Sequence, residues 1–309
     1  MTSRAPRPRR SLRPKAGFRL GLVLVVASLA LAACSTTTEN PDRLSIVAST
    51  NVYGSIAAEV AGDHADVTSI IESPEQDPHS FEASARVQLE LSRADVVVDN
   101  GGGYDDFMGR LLTGTGNDGA VVISAVDVSG LAPDQVAANE HVWYDLDVVR
   151  RVASSLADAL ERLDPPHASD YRSNLERFDA SITRLQGEVS TIADDHAGES
   201  VMVTEPVPLY LLESAGFVNA TPDELSTAVE NGNGVPPAVL ERALALLEDH
   251  SVSLFVYNEQ TAGPETTQLR AAAKLAGVPT VGVTETITDG QGYVEWMGSV
   301  IRAIGQALS

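Results

Sequence analysis

The feature that most constrains the fold is an apolar stripe in the middle of the chain. Its residues recur at alternating steps of four and three, the spacing of one face of an α-helix: Tyr171, Leu175, Phe178, Ile182, Leu185, Val189 and Ile192. A helix of more than six turns, at roughly 1.5 Å per residue, spans about 40 Å, a small-domain diameter or more. A coiled-coil dimer arm has the same spacing, but the heptads do not continue beyond the stripe. We therefore predict a strut that packs within the chain across two lobes.

Short apolar runs alternate with helical patterns on both sides of this predicted helix. The runs that predict strands lie at 44–50, 67–71, 95–99, 120–126, 201–204, 252–257 and 279–284. Such alternation is typical of βαβ units with a parallel sheet. We predict an α/β fold of two (β/α) lobes with parallel sheets, joined by one long linking helix. The predicted segments are an N-terminal lobe at 43–165, the linking helix at 166–195 and a C-terminal lobe at 196–309, with a ligand cleft between the lobes.

The N-terminus has the pattern of an export signal. Residues 1–33 hold seven basic residues and no acidic one, and they end in a 14-residue apolar run. That run is too short for a stable transmembrane helix but suits a signal-peptide core. It ends in Leu-Ala-Ala-Cys, which resembles the bacterial lipoprotein box, and Cys34 is the only cysteine in the chain. We predict a signal peptide at 1–33, lipidation of Cys34 and a polar tether at 34–42.

The charge of the chain excludes one class of partner. Removal of residues 1–33 takes away seven of the 21 Lys and Arg residues and none of the 43 Asp and Glu residues, which leaves a net charge of −29. A protein this acidic is a poor binder of nucleic acid, and we predict no such partner. Salt screens long-range attraction beyond about 10 Å, so no cation site is assigned from net charge alone.

Candidate ligands follow three of the predicted strands. His79 lies in an Asp-Pro-His sequence after the second strand, and Glu205 and Glu285 directly follow two strands of the second half. Open α/β sheets bind their ligands beyond the carboxyl ends of the strands. A second histidine, His141, stands in a His-Val-Trp sequence shortly before a helical pattern. These four residues are the candidate site.

With these motifs in this order, the chain resembles the cluster A-I solute-binding lipoproteins of ABC importers for manganese, zinc and iron. The resemblance covers nearly the whole mature chain. It implies the metal-type periplasmic-binding-protein fold, with metal ligands at His79, His141 and Glu205 and a fourth after the last strand. It also implies an ABC permease and its ATPase as partners. We expect a monomer that is lipid-anchored on the extracytoplasmic face of the cell membrane.

The fourth ligand and the metal both leave alternatives open. The family's usual fourth ligand is an aspartate in a Thr-Asp-Ser sequence, whereas this chain has Thr-Glu-Thr. Glu285 is preferred over its rival Asp289 because it directly follows the strand. Two imidazoles and two carboxylates suit Mn²⁺, Zn²⁺ or Fe²⁺ and offer no soft ligand for Cu(I). Zinc members usually have a third histidine where Glu205 stands and often a His-rich loop, so manganese is placed ahead of zinc.

Two other functions share part of this pattern. A catalytic zinc hydrolase would use two histidines, a glutamate and an open coordination position. The chain has no His-Glu-x-x-His or Gly-x-Ser-x-Gly sequence, so we predict that it is not an enzyme. A metal-binding surface adhesin is the other alternative, without a repeat or exposed apolar motif to support it. The remaining histidines are interpreted as scattered surface residues: His64, His167, His196 and His250.

Overall fold

The computed structural model describes Thr2 and residues 43–309 apart from four positions: Asp77, Ala83, Ala262 and Asp289. The predicted signal peptide, the tether with Cys34, and the rival ligand Asp289 therefore lie outside the described residues. Within the described part of the chain, no helix combines the length and the hydropathy needed to cross a membrane.

The part of the chain before the long helix alternates strands and helices. The strands are β1 Leu44–Thr50, β2 Ala65–Ile71, β3 Val96–Asp99 and β4 Val121–Ser124. The helices are α1 Asn51–Ala61, α2 Ala85–Arg93, α3 Phe107–Thr115, α4 Ala125–Ser129, α5 Pro133–Ala138 and α6 Leu146–Leu163. Short 3₁₀ turns lie at Gly62–His64, Pro78–Ser80, Val142–Tyr144 and Pro165–His167.

The long helix is α7, Ala168–His196, and the alternation resumes after it. The strands of the second half are β5 Ser200–Val203, β6 Val218–Asn219, β7 Leu254–Asn258 and β8 Thr280–Val283. The helices are α8 Leu209–Ser214, α9 Asp223–Glu230, α10 Pro237–Glu248, α11 Pro264–Ala276 and α12 Tyr293–Ala307. Proline occupies the first turn of α10 and of α11, where its missing N–H would have no partner in the helix anyway.

The two halves build sheets of the same topology. The first sheet has the order β2-β1-β3-β4 and the second the order β6-β5-β7-β8, and every neighbouring pair is parallel. The predicted α/β fold with two parallel sheets is therefore confirmed. In both sheets the chain reverses its direction of winding next to the first strand of that sheet, and such reversal points are where open α/β sheets bind ligands.

Alternate residues of the central strands serve different cores. In β1, Ile46 and Ala48 enter a large core cluster shared with α6, α7 and α12, whereas Val47 belongs to a smaller cluster on the other face. In β5, Val201 and Val203 enter the shared cluster and Met202 packs on the opposite face. This is the two-residue period of strands buried on both faces. The shared cluster joins the two sheets into one compact unit.

Helix α7 fills the role that its apolar stripe predicts. Its buried residues are Tyr171, Asn174, Phe178, Ile182, Leu185 and Val189. The helix packs against α1 and α6 of the first half and against α8 and α12 of the second. The stripe is thus covered by the chain's own elements, as expected for an internal strut.

Several local elements differ from the sequence-based expectation. Ala125 and Val126, predicted as the end of a strand, begin helix α4 instead. Helix α1 starts at Asn51, directly after β1. The two-residue strand β6 has no counterpart among the predicted strands. Short elements carry little periodic signal, and their structure depends on tertiary contacts.

Candidate metal-binding site

The candidate site lies beyond the carboxyl ends of the strands. Glu205 follows β5, and Glu285 follows β8. Asn258, the last residue of β7, stands between them, because β7 pairs with both of those strands. Its Nδ2 donates a 2.7 Å hydrogen bond to Glu285 Oε1, and its backbone N–H donates to Thr204 Oγ1, next to Glu205, at 3.0 Å. Asn258 therefore contacts the ends of both neighbouring strands, where the two carboxylates lie.

Tyr104 connects the other predicted ligands to this edge. Its ring centroid lies 5.3 Å from that of His79 and 5.9 Å from that of His141. Its hydroxyl donates a 3.2 Å hydrogen bond to Glu285 Oε2. The structure thus gathers His79, His141, Glu205 and Glu285 around one tyrosine and one asparagine.

His141 is completely buried, and its tautomer follows from its neighbours. Asn139 Nδ2 donates to the Pro206 carbonyl at 2.9 Å, which turns the Asn139 Oδ1 atom toward the histidine. That oxygen lies 2.9 Å from His141 Nδ1 and also accepts the His141 backbone N–H. An amide oxygen can only accept, so Nδ1 carries the proton and Nε2 presents a lone pair. Metal-ligating histidines are commonly oriented in this way.

The same histidine is held neutral by its surroundings. Burial, with the charge of His79 as a second cause, lowers the pKa of His141 to about 3. Its Nε2 is buried and forms no hydrogen bond with any described residue. A buried polar nitrogen without a partner is costly unless something else binds it. A metal ion at this position would use that lone pair.

The two predicted carboxylates are buried and hydrogen-bonded. Glu205 is 2 % exposed, and its Oε2 accepts a 2.5 Å hydrogen bond from Thr261 Oγ1. Burial raises the pKa of Glu205, against the effect of that bond. Burial, followed by the charge of Glu205, raises the pKa of Glu285 to about 7. A positive charge bound nearby would therefore stabilise the ionised form of each carboxylate.

His79 stands in the 3₁₀ turn Pro78–Ser80, in the more open part of the site. Its Nε2 lies 3.1 Å from Glu140 Oε1. A charge on His79 lowers the pKa of His141 and of both predicted carboxylate ligands, so the ring lies near enough to interact with all three.

Two acidic residues join the site that the sequence analysis did not select. Glu140 directly precedes His141, and Glu230 is the last residue of α9. Ligand atoms of His79, Glu140 and Glu230 all lie within 4.8 Å of one another. Adjacency to His141 could have drawn attention to Glu140. Glu230 lies in a Glu-Asn-Gly-Asn-Gly sequence without any periodic signal, so only the fold brings it here.

The site as a whole collects negative charge. Burial, then the charges of Glu205, Glu285 and Glu140, raise the pKa of Glu230 to about 8, with His79 acting in the opposite direction. Two imidazoles and four carboxylates form a donor set of nitrogen and hard oxygen ligands. Such a set suits a divalent first-row transition metal. Alkali and alkaline-earth ions prefer oxygen ligands, whereas the neutral buried imidazole offers nitrogen.

Two histidines elsewhere are not scattered singly, contrary to the sequence-based interpretation. His64 stacks on His167 with ring centroids 4.0 Å apart, because the turns at Gly62–His64 and Pro165–His167 meet beside the start of α7. Each ring also pairs with an aspartate: His64 Nε2 lies 3.0 Å from Asp170 Oδ2, and His167 Nδ1 lies 2.7 Å from Asp164 Oδ2.

Comparison with known proteins agrees with the fold and the donor set. A family model described as "Zinc-uptake complex component A periplasmic" matches residues 46–307. The chain therefore belongs to this family of metal-binding receptors.

Individual relatives are similar over most of their length. The manganese ABC transporter substrate-binding lipoprotein scaA of Streptococcus gordonii is 25% identical over 94% of this chain and 98% of its own. The manganese-binding lipoprotein MntA of Halalkalibacterium halodurans is 26% identical over 69% of this chain and 72% of its own. The structure of FpvC from Pseudomonas aeruginosa, in complex with Mn²⁺, superposes with a TM-score of 0.71 and 22% identity over 86% of this chain and 98% of that one.

These relatives confirm the resemblance inferred from the motifs. They are binding proteins of ABC transporters and not enzymes, so the predicted class of solute-binding protein is confirmed and the hydrolase alternative is not supported.

Proposed function

We propose that this protein captures one divalent transition-metal ion outside the cytoplasm and delivers it to an ABC importer. The protein ligands are His79, His141, Glu205 and Glu285. The ion is the transported cargo and not a resident cofactor. The partners are a permease with its ATPase, and the mature protein is a monomer anchored to the cell membrane through lipidated Cys34.

One observation carries the proposal more than any other. The His141 Nε2 is fully buried, unprotonated and without a hydrogen bond among the described residues, while its Nδ1–H is held by Asn139. A ring fixed in this way has the orientation of a metal ligand. The surrounding carboxylates compensate the charge of a divalent cation.

We infer manganese as the preferred cargo, with zinc as the competitor. Zinc binds a given set of nitrogen and oxygen ligands more tightly than manganese does. The affinity for manganese rises relative to that for zinc where additional carboxylate oxygens raise the coordination number above four. The site has acidic residues beyond the four proposed ligands, and two relatives carry manganese in their names.

The test is metal titration of the soluble part, residues 35–309, after removal of bound metal by chelation and dialysis. We expect one equivalent of Mn²⁺ or Zn²⁺ per chain in isothermal titration calorimetry. His79→Ala and His141→Ala should each weaken binding at least tenfold, because each removes a direct bond to the ion. Circular dichroism should barely change, since most core residues are untouched.

His167→Ala is the matched control, because it removes a histidine that the structure places outside the site. It should bind metal as the unchanged protein does. Unchanged affinity in either site variant would remove that residue from the ligand set. Failure of the unchanged protein to bind either ion would refute the proposed function.

A further inference from the structure

The geometry points to Glu230 as an additional metal ligand, one that reaches the captured ion from helix α9 and stands between the site and an adjoining cavity. This inference rests on the proposed function and extends it to a residue outside the four proposed ligands. Helix α9 is formed by Asp223–Glu230, and its last residue is the one that enters the site.

The first supporting observation is the position of Glu230 between the two histidines. Its Oε1 lies 3.5 Å from His141 Nε2, and a ligand atom of His79 lies within 4.8 Å of its carboxylate. First-row divalent ions bind nitrogen and oxygen at roughly 2.0–2.2 Å, so ligand atoms around one ion lie up to about 4.4 Å apart. The spacing of these three groups is therefore close to that of ligands around one ion.

The second observation concerns the atoms that face each other. His141 Nε2 presents a lone pair, because the proton of that ring is on Nδ1 and is held by Asn139. Glu230 Oε1 points at it, and neither His141 Nε2 nor Glu230 Oε2 forms a hydrogen bond with a described residue. Once Glu230 is ionised, these two facing acceptors repel each other in a buried site. A divalent cation between them converts that repulsion into two bonds.

The third observation is the cavity next to the site. It has a volume of about 520 Å³ and is lined by Ala138, Pro206, Leu209, Asn219, Thr227 and Glu230, among others. Glu230 is the lining residue that also faces His141, and Pro206 follows the proposed ligand Glu205. A cation that enters through this cavity meets the Glu230 carboxylate before it meets the buried imidazole.

An additional carboxylate has a consequence for the choice of metal. Mn²⁺ accepts a larger number of oxygen ligands than Zn²⁺, which prefers four ligands in a tetrahedron. Loss of Glu230 should therefore weaken Mn²⁺ binding more than Zn²⁺ binding. This difference separates a direct ligand from a carboxylate that attracts cations only by its charge, because charge alone acts on both divalent ions alike.

The test uses Glu230→Gln in the protein at residues 35–309, because glutamine keeps the shape and removes the charge and one acceptor oxygen. We expect Mn²⁺ affinity to fall at least tenfold and Zn²⁺ affinity to fall less. The visible absorption of bound Co²⁺ should also change, because it depends on the number and geometry of the ligands. Glu224→Gln on the same helix is the matched control, since Glu224 is exposed and pairs with Arg242 at 3.0 Å.

Thermal unfolding of the metal-free variants checks that both remain folded, and Glu230→Ala serves as a second variant if the glutamine side chain disturbs α9. Unchanged Mn²⁺ affinity in the Glu230 variants would overturn the inference. Weaker affinity with an unchanged Co²⁺ spectrum would overturn it too, because Glu230 would then act through charge alone. Absence of any metal binding by the unchanged protein is a different outcome, which refutes the proposed function itself.

Discussion

Glu285 and Asp289 are the two candidates for the fourth metal ligand, and substituting each in turn distinguishes between them. Glu285 is 9 % exposed and hydrogen-bonded to Asn258 and Tyr104, in the group that contains His79. Glu285→Ala should weaken binding of Mn²⁺ and Zn²⁺ at least tenfold, or about 1.4 kcal/mol, because it removes a ligand. Asp289→Ala should be close to neutral in the same titration. The reverse ranking would move the fourth ligand to Asp289.

Asp99, outside the site, gives a stability prediction. Burial, followed by the charge of Asp105, raises its pKa from the ordinary 3.8 to about 7. The unfolded chain therefore releases the proton of Asp99 at lower pH than the folded protein does. Deprotonation favours the unfolded chain between about pH 4 and pH 7, so the fold loses stability as the pH rises through that window and the full cost remains above it.

Asp99→Asn removes this cost, which is on the order of 4 kcal/mol once both states are ionised. The gain in unfolding free energy over the unchanged protein should therefore grow by about 3 kcal/mol between pH 5 and pH 8.5. Urea unfolding at the two pH values measures it, with the exposed Asp118→Asn as control. An equal difference at both values would mean that Asp99 ionises alike in the folded and unfolded chains.

Among the individual site residues, the sequence identifies those that follow a regular strand pattern and misses those that only the tertiary fold brings to the site. Glu205 and Glu285 directly follow strands, so the strand pattern alone indicated that both face the ligand edge. Glu230 ends a short helix of the second half, and its contact with His141 joins positions far apart in the chain. No local pattern encodes such a contact. Asn139 and Tyr104 were missed for the same reason, since their roles depend on partners from other elements.

At the scale of elements, the strut helix α7 carries the clearest relation between pattern and packing. Ile182 is fully buried in the shared core, at the middle of the helix. Ile182→Ala should lower the free energy of unfolding by about 2–5 kcal/mol, because it removes buried methyl groups and leaves a cavity. The exposed Ser190→Ala on the same helix should change it by less than about 0.5 kcal/mol. Denaturant unfolding compares the two, and equal effects would show that the stripe is not tightly packed.

Long elements were predicted well and short ones poorly, for physical reasons. The α7 stripe repeats often enough that only a helix satisfies it. The strands of both sheets are apolar because they are buried on both faces, which gives a strong signal. Strand β6 has only two residues, both exposed, so it forms because its backbone completes the hydrogen bonds of β5. Helix α9 follows a proline and ends before a Gly-Asn-Gly sequence. Proline and glycine are typical of loops, so the local sequence predicts a loop here and not a helix.

For the molecule as a whole, the contacts between the two halves meet at the site. Asn51 donates to the Ile287 carbonyl at 2.8 Å and accepts the Ile287 N–H at 3.0 Å. Gln260 donates to the Pro74 carbonyl at 2.9 Å and accepts the backbone N–H of Glu285. Asn51 thus ties the start of α1 to the loop after β8, which holds a proposed ligand, and Gln260 after β7 joins that loop to the one after β2. The conformation described is therefore one in which both halves contact each other around the ligand set.

Attachment to the membrane is the last whole-molecule property that the proposed function requires, because a receptor must stay near its permease. Cys34 lies outside the described residues, and the argument for it is the Leu-Ala-Ala-Cys end of the apolar run together with the absence of any other cysteine. Cys34→Ala should release the protein from the membrane fraction, since no lipid can then be attached. Cell fractionation followed by immunoblotting measures this, with Ser35→Ala as the control that retains the thiol. Membrane-bound Cys34→Ala protein would show that another segment provides the anchor.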